Sequence, residues 1–93
     1  MAQPYRTASP VRFRAVVTVD LATINANTAP ERTLTVPGCP AGRHYIVTAP
    51  SLEANVGIVG AKCTTKGSLL VRFLNPTGSG IDPASQDFHI IAI

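Results

Sequence analysis

The residues with chemical capability are few and scattered. His44 and His89 are the two histidines, and each falls in a stretch with strand-like alternation and no second metal-ligating residue patterned beside it. A lone histidine on a strand is ordinarily an exposed or hydrogen-bonded side chain, so neither metal binding nor general-base work is expected of them. The acids Asp20, Glu31, Glu53, Asp82 and Asp87 lie mostly at strand ends or in turns, where carboxylates shape the backbone and keep the surface wet. Cys39 sits in the rigid tetrapeptide Pro37-Gly38-Cys39-Pro40, with no histidine in a nucleophile's usual order. Cys63 follows 24 positions later, a spacing that fits no metal or redox motif. Two readings of that pair stand: buried thiols that pack as small hydrophobes, or cysteines close enough to form a disulfide. Gly78-Ser79-Gly80 lacks the following Lys and Ser or Thr of a phosphate loop. The expectation is therefore no enzyme, no cofactor and no metal, with a site assembled purely by tertiary folding as the one kind this pattern leaves open.

The elements that carry these residues read as β throughout. Of the 93 residues 45% are hydrophobic, 5% aromatic and only 14% charged, against roughly 25% charged in an ordinary soluble domain. The apolar residues are mainly Val, Ile, Leu and Ala, and 7 Gly and 8 Pro punctuate them. That balance disfavours long helices and favours strands joined by tight turns. A chain of this length forms one core and buries only roughly 60–65% of the surface its unfolded state exposes, so a partner or self-association is expected to support it.

Residues 1–11, with Pro4 and Pro10 and no apolar period, predict an extended N-terminal arm, and 12–93 predict one β-domain. The first strand is expected over 12–21, where Phe13, Ala15, Val17, Val19 and Leu21 alternate with a mostly polar set that includes Val16. Residues 24–30 read as a turn and connection. Further strands are expected over 31–36, 44–49, 55–65, 68–74 and 87–93, with Pro37-Gly38, Pro50 and Lys66-Gly67 as stops. Gly57 and Gly60 inside the fourth predict a bulge or a close backbone approach. Residues 75–83 form the longest loop, and helix is limited to single turns near 51–54 or 83–86. Six to seven short strands at roughly twelve-residue spacing predict an all-β fold, a small antiparallel β-sandwich or jelly-roll-like barrel.

The net charge of +3 comes from 8 basic and 5 acidic residues. The basic side chains are dispersed, with no cluster beyond Arg12 and Arg14, whereas nucleic-acid binding calls for a basic patch. No nucleic-acid partner is expected. The start shows no basic region followed by an apolar run, and the apolar runs are far shorter than a bilayer span, so neither a secretory signal nor a membrane partner is expected.

A second apolar face is the positive signal. If Leu69, Val71 and Phe73 point inward, alternation sends Leu70 and Leu74 outward, and with Phe88, Ile90 and Ala92 inward, Ile91 and Ile93 also point out. Exposed aliphatics together on a small domain mark an interaction surface; the alternative is that loops or the N-terminal arm cover both faces within the monomer. The predicted protein interface therefore comprises Leu70, Leu74, Ile91 and Ile93, with Tyr5, Arg6, Arg12 and Arg14 as contacts of the arm and its junction.

The order Thr35-Val36-Pro37-Gly38, Pro50-Ser51-Leu52, Gly57-Ile58-Val59-Gly60-Ala61, Phe73-Leu74-Asn75-Pro76-Thr77 and Ile81-Asp82-Pro83 resembles a family of small all-β structural proteins of tailed bacteriophages, over about residues 17–93. These motifs are turn punctuation rather than chemistry, and the chain departs from the family pattern by placing Cys39 and Cys63 at aliphatic positions. The resemblance implies a virion protein assembled in the host cytoplasm, most directly a capsid decoration (cement) protein. Such a protein would lie on the outer surface of the major capsid protein shell as a homo-oligomer, dimer or trimer. A tail, connector or fibre-associated β-module, or a non-virion protein-binding module, is the alternative.

Overall fold

The computed structural model describes residues 13–93. The expected arm, 1–11, and with it Tyr5, Arg6 and Arg12, lies outside the described residues. Six strands follow in order: β1 (Phe13–Val19), β2 (Glu31–Thr35), β3 (Tyr45–Thr48), β4 (Gly57–Thr65), β5 (Ser68–Leu74) and β6 (Gln86–Ala92). They form two antiparallel three-stranded sheets, ordered β1-β6-β3 and β2-β5-β4. Among the described residues there is no helix and no seventh strand, and no ladder joins the two sheets into a closed barrel. Neither 51–54 nor 83–86, the two places to which the sequence limits helix, forms a helical turn. Around Ser51 the Leu52 N–H donates to the Ala49 carbonyl (2.9 Å) and the Val56 N–H to the Glu53 carbonyl (3.0 Å), two tight turns in succession.

The central strands explain the core. β5 and β6 are flanked on both sides, so their inward residues lose solvent completely: Leu69, Val71, Phe73, Phe88, Ile90 and Ala92 are fully buried. Phe73 from one sheet meets Phe88 from the other edge-to-face, with ring centroids 6.0 Å apart and planes at 83°, the geometry that sets a ring's positive edge against a negative face. Leu34, Val36 and Cys39 complete the layer from β2 and the turn after it. Gly38, at φ +79°, occupies the left-handed region that the turn requires and that side chains with a Cβ resist. In the β4–β5 hairpin Gly67, at φ +87°, does the same, and its N–H donates to the Cys39 carbonyl (2.9 Å) while its own carbonyl accepts from Val36 (2.9 Å). The two turns thus latch one another.

Gly60 carries the expected bulge. The β4–β5 register slips between Ile58 and Gly60, leaving Val59 as the extra residue, and Gly57 and Gly60 both face open space rather than an approaching backbone.

The segment 24–30 is the turn and connection that the sequence predicts, with its turn at Ala26-Asn27. It also delivers Ile24 fully buried to the core, paired in a backbone bridge with Ile81 through hydrogen bonds of 2.8 and 3.0 Å. A second bridge joins Thr28 to Asn75. The connection and the 75–83 loop therefore close one end of the molecule together, and Asn75 is their common fastening. Its Nδ2 donates to the Ile24 and Ser79 carbonyls at 2.9 Å each, and its Oδ1 accepts from the Thr77 N–H (3.0 Å) and hydroxyl (2.7 Å).

At another corner Glu53 joins the 49–56 turns to the entry of β6. Its carboxylate accepts from the Ala84 N–H (3.0 Å) and the Gln86 side-chain amide (3.3 Å). The Ala84 N–H foremost, then its own N–H, and the Gln86 amide beyond them hold the Glu53 carboxyl below its ordinary 4.5 against the opposing effect of burial. A carboxyl depressed by folding contributes stability that is present above the unfolded pKa and is lost as pH falls through the folded value. The acid limb of a thermal-unfolding series below about pH 4.5 is thus expected to be shallower in Glu53→Gln than in the parent chain, and parallel limbs would show that this contact does not couple to folding.

Candidate protein-interaction surface

The outward residues of the β1-β6-β3 sheet are set by its register. Arg14, Ile91 and Ile46 lie in one cross-strand row, and Val16, His89 and Thr48 in the next. Thr18 and Asp87 follow, the Thr18 hydroxyl donating to the Asp87 carboxylate at 2.6 Å. One half of this face is therefore apolar and the other polar. Val16 is 55% exposed, Ile46 50% and the terminal Ile93 45%, so large aliphatics stand in water across all three strands or just beyond them. A shallow depression of about 200 Å³ runs along β1 and β6 between Arg14, Val16, His89 and Ile91. A polar one of about 390 Å³ continues past Thr18, Ser51, Ser85, Asp87 and His89.

The β2-β5-β4 sheet presents a different outer face. Leu70 lies between Thr33 and Lys62, and Arg72 between Glu31 and Gly60. Arg72 sits 3.6 Å from the Glu31 carboxylate in an exposed pair, of a kind worth little to stability. With Val59, 59% exposed, all of these residues except Thr33 line a depression of about 250 Å³.

The predicted interface residues thus occupy two surfaces rather than one. Leu70 and Leu74 point out from β5, Leu70 half-buried and Leu74 39% exposed. Ile91 points out from β6, half-buried between Arg14 and Ile46, and Ile93 ends the same sheet. Arg14 joins the second group. A contiguous patch of Leu70, Leu74, Ile91 and Ile93 is not formed, because their strands are the centres of different sheets. The three most exposed aliphatics, Val16, Ile46 and Val59, were not singled out from the sequence. Val16 and Ile46 each sit at a position whose strand neighbours of like parity are polar or charged, and that exception was the available signal. Val59 faces out through the bulge, which breaks the alternation.

The chemistry-bearing side chains do not assemble. Asp87 serves Thr18 although His89 is next on the same face, and among the described residues no group of three or more His, Cys, Asp or Glu side chains converges as a metal would need. No described helix is long and apolar enough to cross a membrane. Cys39 and Cys63 are free thiols, 0% and 4% exposed. The Cys39 thiol donates to the Tyr45 hydroxyl (3.0 Å), which in turn donates to the Pro40 carbonyl, and the Cys63 thiol donates to the Thr65 carbonyl (3.1 Å). Burial pushes the Cys39 thiol up, only partly offset by the Tyr45 hydroxyl, and burial, followed by the Cys39 thiol, pushes the Tyr45 phenol well above its usual range. A thiol that is both shielded and protonated is a poor nucleophile. Native protein at neutral pH is expected to react with an aromatic disulfide reagent far more slowly than denaturant-unfolded protein, in which both cysteines titrate promptly; equal rates would place a thiol at the surface.

Compared with known protein families, with characterised proteins and with solved structures, the chain matches none.

Proposed function

We propose that this chain is a structural, protein-binding module that acts as a capsid decoration protein, docking on the outer surface of the major capsid protein shell of a tailed bacteriophage and bracing the head. In this reading the two sheets form a β-sandwich whose inner faces supply rigidity and whose outer faces supply adhesion. The observation that carries it is the exposure of Val16, Ile46 and Ile93 on one outer face and of Val59 and Leu74 on the other, in a chain with only 14% charged residues. Exposed apolar area of that kind marks surfaces that are covered by another protein. A shell offers many equivalent sites, so even modest contacts sum over copies to oppose the pressure of packaged DNA.

The test is the copy number of the chain in purified particles of the encoding phage, by quantitative mass spectrometry against the major capsid protein. A ratio near one or a simple fraction of it supports decoration. A handful of copies per particle moves the chain to a tail, connector or fibre, and absence from particles makes it a host-directed binding module. Which face docks is read with paired variants. Leu70→Asp with Leu74→Asp charges the β5 face and Ile46→Asp with Ile93→Asp the β6 face; the pair on the docking face is expected to abolish particle binding while far-ultraviolet circular dichroism stays that of the parent.

A further inference from the structure

Four strands are sheet edges: β1 and β3 in one sheet, β2 and β4 in the other. A free edge presents unpaired N–H and C=O groups, and proteins blunt such edges by making them short, bulged or covered. β3 has 4 residues and runs against β4. β2 has 5 residues, and β4 carries two register shifts. Among the described residues none of these devices is found in β1. It has 7 residues, with neither Pro nor Gly among them, and its register with β6 is unbroken from Phe13↔Ala92 to Val19↔Gln86. Outward it presents Arg14, Val16 and Thr18, with Val16 55% exposed, and inward Ala15, Val17 and Val19 are only half-buried. Among the described residues the lateral approach of the two sheets lies along β3 and β4, while the inward side chains of β1 pack against the core without being fully covered.

We propose that β1 is a homodimerisation edge, pairing antiparallel with β1 of a second copy about a two-fold axis at Val16, so that two three-stranded sheets become one continuous sheet. This deepens the reading of a self-associating structural protein and rests on it. The occupant follows from self-complementarity. Antiparallel pairing centred on Val16 is the one register that uses all 7 residues of both strands, and it sets Arg14 opposite the second copy's Thr18. That threonine holds Asp87 at 2.6 Å one strand further in. Each Arg14 guanidinium thereby meets a carboxylate of the second copy, and symmetry makes the contact twice. Val16 meets its own mate at the axis, an aliphatic cross-strand pair of the kind that stabilises sheets. The fused outer face would carry Ile46, Ile91 and Val16 of both copies in one apolar band.

Sedimentation equilibrium of the full chain is expected to show a monomer–dimer equilibrium with a dissociation constant of roughly 1 μM to 0.1 mM. Val16→Lys puts two ammonium groups face to face at the axis and is expected to weaken the dimer by about tenfold or more, with the melting temperature of the monomer unchanged because the position is exposed. Val16→Cys is expected to link to itself under a mild oxidant, since Cα atoms of directly opposed strand residues lie about 4.5–5.5 Å apart, within disulfide range, while the parent chain stays unlinked. Arg14→Asp is expected to weaken association and Arg14→Asp with Asp87→Arg to restore it. A chain that remains monomeric throughout, or a dimer that Val16→Lys leaves intact and Val16→Cys does not link, overturns the proposal. Either result is independent of copy number in particles, so failure of this interface and failure of the decoration reading are told apart.

Discussion

Asn75→Asp is expected to destabilise the fold by about 3–5 kcal/mol at pH 7, a large part of the roughly 5–10 kcal/mol that holds a domain of this size together. The change is nearly isosteric, so the effect is electrostatic. The Asn75 Nδ2 donates to two carbonyls, those of Ile24 and Ser79, each at 2.9 Å, while Oδ1 already accepts from Thr77. An aspartate turns the donor end into an acceptor that faces two carbonyl oxygens from a fully buried position. Burial and those oxygens both favour the protonated acid, so its folded pKa lies above the unfolded value of about 3.9. A group whose folded pKa is raised contributes favourably below the unfolded pKa, and that contribution is lost as pH rises through the folded one. The penalty relative to the parent is therefore expected to be smallest near pH 3 and to grow toward pH 7. Urea midpoints of parent and variant across that range check it, and a pH-independent difference would show that lost packing, not charge, is responsible.

Phe88→Ala is expected to cost about 3–5 kcal/mol and to lower the urea midpoint with little change in slope. Phe88 is fully buried on the central strand of its sheet, and the ring it meets, Phe73, belongs to the central strand of the other. Removing it opens a cavity where the sheets are held together, at a place that the flanking strands cannot collapse to fill without losing their registers. The specific edge-to-face contribution is read from the cycle of Phe73→Leu, Phe88→Leu and the double variant, in which a coupling of about 0.5–1.5 kcal/mol is expected. A coupling near zero would assign the whole effect to buried area.

The alternation of apolar and polar residues was sufficient to find most of the strands, because a period of two is a local property of the backbone; β4, whose bulge breaks the period, was read from its apolar residues and glycines. β5 coincides with its expected range, β1 to β4 end one or two residues short of theirs where ladder pairing gives way to turns, and β6 is shifted by one residue toward the N-terminus. The inward sets Leu69, Val71, Phe73 and Phe88, Ile90, Ala92 were legible for the same reason. The Gly57-Gly60 signal led to the bulge at Val59. Ile24 and Asn75 were not legible. A polar residue before proline in a Gly-rich loop reads as turn punctuation, and its buried role arises only when residues 51 positions apart in the chain come into contact.

The candidate surface divides along the same line. From the sequence alone came a low-charge all-β chain with too few organised polar groups for an expected active site and with aliphatics on outward positions of its last two strands, since composition and alternation need no partner strand to be read. Only the tertiary structure decided that Leu70 and Ile91 belong to different sheets, that Ile46 flanks Ile91, and that β1 is a long, unbulged edge. Those outcomes depend on which strands pair and in what register, and pairing is a contest among all the strands at once, carried by contacts between residues as far apart as Phe13 and Ala92.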